Sequence, residues 1–187
     1  LLLLAPLAVV CACGSTTPAA STLTPRVVTE PTRHDTDDPA IWINPADRSR
    51  SLIVGTDKDS DGALYVYDLG GRIVNRVGGL KRPNNVDIAY GLTLGGTLTD
   101  IAVTTERERF RLRVFSLPGM KCVDKGDLVV FDGDTNRAPM GIALYRRARD
   151  GAIFAFVGGK SGPPAGYIGQ YRLADDGTGH VKMTLVR

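Results

Sequence analysis

An all-β fold made of short strands is what this sequence predicts, and three observations carry it. Glycine is abundant at 22 of 187 residues while aromatic residues are only 6%, a balance that suits many tight turns better than a helical bundle. Apolar and polar side chains alternate in runs such as Leu64-Tyr65-Val66-Tyr67 and Leu112-Arg113-Val114-Phe115, the period of a strand with distinct faces. No stretch sustains helical periodicity for three turns. Apolar residues make up 43% of the chain, enough for a sizeable core in a domain of ordinary size. The net charge of +3 is too mild to imply a nucleic-acid partner, and a monomer is expected.

The first element is a leader. Leu1 to Val10 is an apolar run of signal-core length, too short to cross a bilayer as a helix. Val10-Cys11-Ala12-Cys13-Gly14 follows and is similar to a bacterial lipoprotein processing box. That likeness implies cleavage before Cys13 and acylation of its sulfur; the alternative is an ordinary signal peptide with incidental cysteines. Residues 14–34 read as a tether, Ser-, Thr-, Ala- and Pro-rich at their start. The expectation is an exported protein, lipid-anchored to the cell envelope. Gly14 after Cys13, in place of an aspartate, points by analogy to the outer membrane. Cys122 is then left alone, without a partner for an intrachain disulfide, and reads as a partly buried thiol.

The strands begin near Asp35, and they repeat. Leu52-Ile53-Val54-Gly55-Thr56-Asp57-Lys58, Ile101-Ala102-Val103-Thr104-Thr105-Glu106-Arg107 and Phe154-Ala155-Phe156-Val157-Gly158-Gly159-Lys160 align, each an apolar strand ending in a basic residue. A short strand precedes each, beginning near Pro39, Val86 and Gly141. Another follows each, around Val66, Val114 and Tyr171. A fourth closes each unit near Ile73–Val77, Leu128–Phe131 and Val181–Val186. Four strands in roughly fifty residues is the pattern of a β-propeller blade. The prediction for residues 35–187 is therefore a β-propeller of four-stranded antiparallel blades, with three blades present of an expected six. Three blades do not close a ring. The chain also begins with leucine and stops within an apolar-rich strand, so it reads as the N-terminal half of a longer protein.

Antiparallel pairing puts the start of each first strand and the end of each second strand at one face. Lys58, Arg107 and Lys160 then share that face with Asp37, Asp38, Asn84, Asn85 and Asp87. Singly, each has an ordinary reading as a turn former or a solvated charge. Together they suit one ligand class: clustered oxygens hold a hard cation such as Ca2+, and fixed cations hold the anion that the metal also touches.

Asp35-Thr36-Asp37-Asp38-Pro39-Ala40-Ile41-Trp42 and Asn84-Asn85-Val86-Asp87-Ile88 resemble the two signature motifs of the β-propeller phytases, and the likeness runs from about Arg33 to Arg187. The resemblance implies a six-bladed, calcium-dependent 3-phytase-like enzyme that releases phosphate from myo-inositol hexakisphosphate (phytate) or another phosphate ester. It implies that Asp37 ligates active-site calcium and that Asp38 serves a more structural calcium near Asn85 and Asp87. It assigns the substrate phosphates to Lys58, Arg107 and Lys160, and the attack to a metal-activated water. Two positions depart from the family pattern. Met140 stands where a tyrosine is usual, and a thioether is a poor partner for a hard cation. Ser161 stands where an acid is common. The alternative left open is a non-catalytic propeller lipoprotein that binds a protein or an anionic ligand on the same face.

Overall fold

The computed structural model describes residues 23–187. The leader, Cys11, Cys13 and the start of the tether lie outside the described residues. The first sheet contains β1 (Thr36–Trp42), β2 (Leu52–Asp57), β3 (Gly62–Tyr67) and β4 (Ile73–Leu80). The second contains β5 (Pro83–Leu94), β6 (Thr97–Glu106), β7 (Arg111–Ser116) and β8 (Lys121–Cys122). The third contains β9 (Pro139–Arg146), β10 (Ile153–Gly159), β11 (Ile168–Asp175) and β12 (Val181–Leu185). Within each sheet the four strands pair antiparallel in chain order. Helix among the described residues is confined to three short 3-10 turns. This is the all-β, blade-by-blade architecture expected from the repeat.

The first strands lie side by side, β1 against β5 and β5 against β9. The core sits between the sheets and follows from the period of two. In β3, Leu64 and Val66 point toward the second sheet and pack with Val86, Ala102 and Phe115. Ala63, Tyr65 and Tyr67 point the other way and form a cluster of their own. A strand apolar on both faces is one sandwiched between layers. The middle sheet does the same: Ala102 and Phe115 face the first sheet, while Ile101, Val103, Leu112 and Val114 face Ile153, Ala155, Val157 and Tyr171 of the third. A one-residue slip of β6 or β7 would exchange the two sets. Leu64 is fully buried, and Leu64→Ala would cost roughly 2–5 kcal/mol through the lost contacts and the void.

One element differs from the sequence expectation. The fourth strand of the second blade is Lys121–Cys122, while Val129 makes only an isolated bridge to Arg111. The Asp124 carboxylate explains the break. It accepts the backbone N–H of Val114 at 2.7 Å, that of Gly126 at 2.7 Å and Arg113 Nε at 3.0 Å, taking over hydrogen bonds a continuous ladder would make. Leu128, Val130 and Phe131 are thereby free to turn into the core between the second and third sheets.

Candidate functional site

The end of each second strand and the residue after it form a triplet: Thr56-Asp57-Lys58, Thr105-Glu106-Arg107 and Gly158-Gly159-Lys160. The backbone N–H of the basic residue donates to the carbonyl just ahead of its own blade's first strand. These bonds are Lys58 to Asp35 at 2.7 Å, Arg107 to Arg82 at 3.1 Å and Lys160 to Ala138 at 2.8 Å. The three basic residues therefore occupy one station, repeated blade by blade.

The two residues before the cation build that station in the first two blades. The Thr56 hydroxyl accepts the N–H of Asp38 at 3.0 Å and donates to the Asn84 carbonyl, in the next sheet, at 3.0 Å. The Thr105 hydroxyl accepts the N–H of Asn85 at 3.2 Å and donates to the Met140 carbonyl at 2.9 Å. Each threonine thus ties its own first strand to the next one. The acids that follow are fully buried. Asp57 Oδ1 accepts the N–H groups of His34 and Asp35 at 3.2 and 2.8 Å, and Glu106 Oε1 accepts that of Lys81 at 2.7 Å. Arg111 Nε donates to Glu106 Oε2 at 2.5 Å, so that buried charge is paired. The third blade has Gly158 and Gly159 at these places and so neither device. In the sequence the aligned triplets mark these positions, and the Thr-acid pair ahead of the cation in the first two is the signal for them.

Lys58 Nζ lies 2.7 Å from Asp37 Oδ1 and 3.5 Å from Asp35 Oδ2. The hydrogen bond it donates to Asp37 is the main reason the Lys58 pKa is raised, against the opposing effect of burial. The Arg107 guanidinium donates to Asn84 Oδ1, and the Asn84 amide donates to Asn85 Oδ1. Burial first, and the positive charge of Arg82 second, depress the Arg107 pKa; the charges of Asp37 and Glu108 work the other way. Asp37 is therefore within electrostatic reach of both Lys58 and Arg107.

Asp38 and Asp87 act as links between blades. Asp38 Oδ2 accepts the N–H of Val86 at 2.9 Å, and Asp87 Oδ2 accepts that of Leu144 at 2.6 Å while its Oδ1 accepts that of Ile88 at 2.7 Å. Lys160 is exposed and pairs with no acid among the described residues. Met140 is exposed, and the Ser161 hydroxyl donates to the Asn136 carbonyl at 3.0 Å. Among the described residues the structure thus pairs Lys58 with Asp37 and Asp35, and joins Arg107 to Asn84 and Asn85. It gives Asp38 and Asp87 backbone partners on the neighbouring blade and leaves Lys160 unpaired.

The oxygens of Asp37, Asp38, Asn85 and Asp87 are the donors a hard cation takes. A carboxylate has about four acceptor positions, so one backbone hydrogen bond does not exhaust it. The described residues include no group of three or more His, Cys, Asp or Glu side chains arranged to hold a metal. The donors therefore fit calcium in kind and supply part of the shell of six to eight oxygens that it takes. A cavity of about 830 Å³, lined by Tyr90, Leu94, Asp100 and Leu117 among others, lies at the far end of the strands from this cluster.

Repeated four-stranded antiparallel blades, each with a basic residue at the end of its second strand, define a propeller-type protein. The sequence matches the Phytase family model over residues 1–187, and the chain belongs to that family. A 3-phytase of Bacillus subtilis (strain 168) is 33% identical over 159 residues, covering 81% of this chain and 39% of the relative. The chain thus spans well under half of that relative's length.

Proposed function

We propose that the whole protein is a calcium-dependent phosphoric-monoester hydrolase of 3-phytase type, acting on phytate or a related phosphate ester. The observation that carries this reading is the pair of cations at one station of successive blades, Lys58 held by Asp37 and Arg107 held by Asn84 at the start of β5, in a chain of the phytase family. Lys58 and Arg107, with Lys160 from the third blade, bind phosphoryl oxygens through charge-assisted hydrogen bonds. Asp37 orients the Lys58 ammonium and leaves two of its three protons for ligand. The Arg107 fork is held by Asn84, which Asn85 steadies in turn. Calcium held by Asp37, Asp38, Asn85 and Asp87 would supply an activated water and charge stabilisation at phosphorus. Neither histidine is placed as a covalent nucleophile: the His34 ring faces Asp61 at 4.0 Å, and His180 lies beside Thr178 on the turn from β11 to β12. The proposal includes export and a lipid anchor at Cys13, and a monomeric protein.

A second reading is a non-catalytic propeller that binds an anionic ligand or a protein on the same face. Met140 and the Gly158-Gly159 pair favour it, since the third blade lacks groups the first two blades provide. Phosphate release from phytate, measured on the whole protein with calcium and after chelation, separates the two. The enzyme reading expects calcium-dependent release, increased by Met140→Tyr. No calcium-dependent release from either the parent or Met140→Tyr rules it out.

A further inference from the structure

One more cation stands at this face. Arg82 lies immediately ahead of β5; its carbonyl accepts the Arg107 N–H at 3.1 Å, and its own N–H donates to the Asp59 carbonyl at 2.8 Å. Held this way it adopts φ 57°, a left-handed conformation that glycine or asparagine takes far more readily than arginine. Backbone geometry alone therefore gives no reason for arginine here. The side chain is half-buried, and its Nε is buried without a hydrogen-bond partner, as is the Nε of Arg107.

Four acids near the pair are engaged elsewhere, while Asp57 keeps a buried Oδ2 with no partner and forms no ion pair with either arginine. Asp37 faces Lys58 at 2.7 Å, Glu108 accepts the Ser60 hydroxyl at 2.6 Å, Asp59 accepts the Asp61 N–H at 2.9 Å, and Glu106 is bonded to Arg111 at 2.5 Å. Among the described residues no acid comes within 4.0 Å of either guanidinium of the Arg82 and Arg107 pair. Lys58 has its counter-ions built in; these two arginines do not. Arg82 is close enough for its charge to act on Arg107, and each side chain keeps one buried Nε without an acceptor, an arrangement costly to hold in the protein alone. A multivalent oxyanion held by the terminal nitrogens of both would offset the repulsion, and a guanidinium fork matches the oxygen spacing of phosphate.

We propose that Arg82 is a further substrate-contacting residue, which with Arg107 forms a two-guanidinium clamp on one phosphoryl group. The inference rests on the phosphate-ester reading of this face and adds a residue to it. Binding of inorganic phosphate to the whole protein, measured by calorimetry, is the test. Arg82→Asn removes the cation while suiting the left-handed backbone, and is expected to weaken phosphate binding about tenfold or more. Arg82→Lys keeps a charge without the fork, and its affinity falls between those of the parent and Arg82→Asn. A role confined to loop shape would leave Arg82→Asn at parental affinity. If Arg82→Asn loses its cooperative thermal transition, Arg82→Gln carries the same expectation. Parental affinity in the Arg82 variant, with a loss in Arg107→Gln, overturns the clamp and leaves the phosphate face standing. No phosphate binding by the parent protein overturns both.

Discussion

Thr105→Val removes a hydroxyl that joins two blades, and its cost follows from the structure. Thr105 is 0% exposed, and its hydroxyl accepts the Asn85 N–H at 3.2 Å and donates to the Met140 carbonyl at 2.9 Å. Valine has the same shape and makes neither bond. At about 1 kcal/mol for each net hydrogen bond, the loss is about 2 kcal/mol. Thr105→Ser keeps the hydroxyl and drops one methyl group, which costs about 0.8 kcal/mol. The expected order of stability is therefore parent, then serine, then valine. Urea unfolding of the whole protein reads it as a shift in midpoint at constant slope. A valine variant as stable as the parent, or more stable than the serine variant, would show that the site contributes packing and not a bond between blades. Because Asn85 and Met140 border the proposed phosphate face, the valine variant is also expected to lose phosphate affinity, and the serine variant to keep it.

The Lys58–Asp37 pair gives a pH dependence with a definite sign. The folded-state pKa of Lys58 is raised above 10.5, chiefly by the Asp37 hydrogen bond. The pair's stabilisation is thus fully present below that pH and is lost as pH rises through the folded value. Asp37→Asn should flatten the alkaline fall in stability between about pH 9 and 12; urea midpoints across that range that still fall as steeply as in the parent would contradict the assignment. For the leader, Cys13→Ala is expected to abolish labelling by a fatty-acid analogue and to release a soluble form, and unchanged membrane attachment would show that Cys13 is not the anchor.

How far the sequence reached differs from element to element. The strand alternation of Leu64 to Tyr67 and the aligned endings at Lys58, Arg107 and Lys160 were enough to divide the chain into three four-stranded blades. The interrupted fourth strand of the second blade was not legible. Leu128 to Phe131 is as apolar as an edge strand, and what diverts it is a carboxylate, Asp124, that competes for backbone groups of β7. Sequence reasoning also passed over Thr56, Thr105, Asp57 and Glu106. A threonine or an acid inside a strand looks like an ordinary polar residue until the carbonyl or amide it meets on another strand is known.

The sequence by itself determined the local pattern: which segments are strands, that they recur in units of four, and that each unit presents a cation at the same end. Those properties follow from side-chain period and residue type, which are local. The tertiary structure alone decided which charges have partners. Lys58 meets Asp37 and Asp35 across 21 and 23 positions of the chain, and Arg107 meets Asn84 across 23. The Arg107 N–H donates to the Arg82 carbonyl across 25 positions, and each of these arginines keeps a buried Nε without a partner. The reason is that electrostatic and hydrogen-bond energies depend on distance in space and on burial, and neither is written in the spacing of residues along the chain.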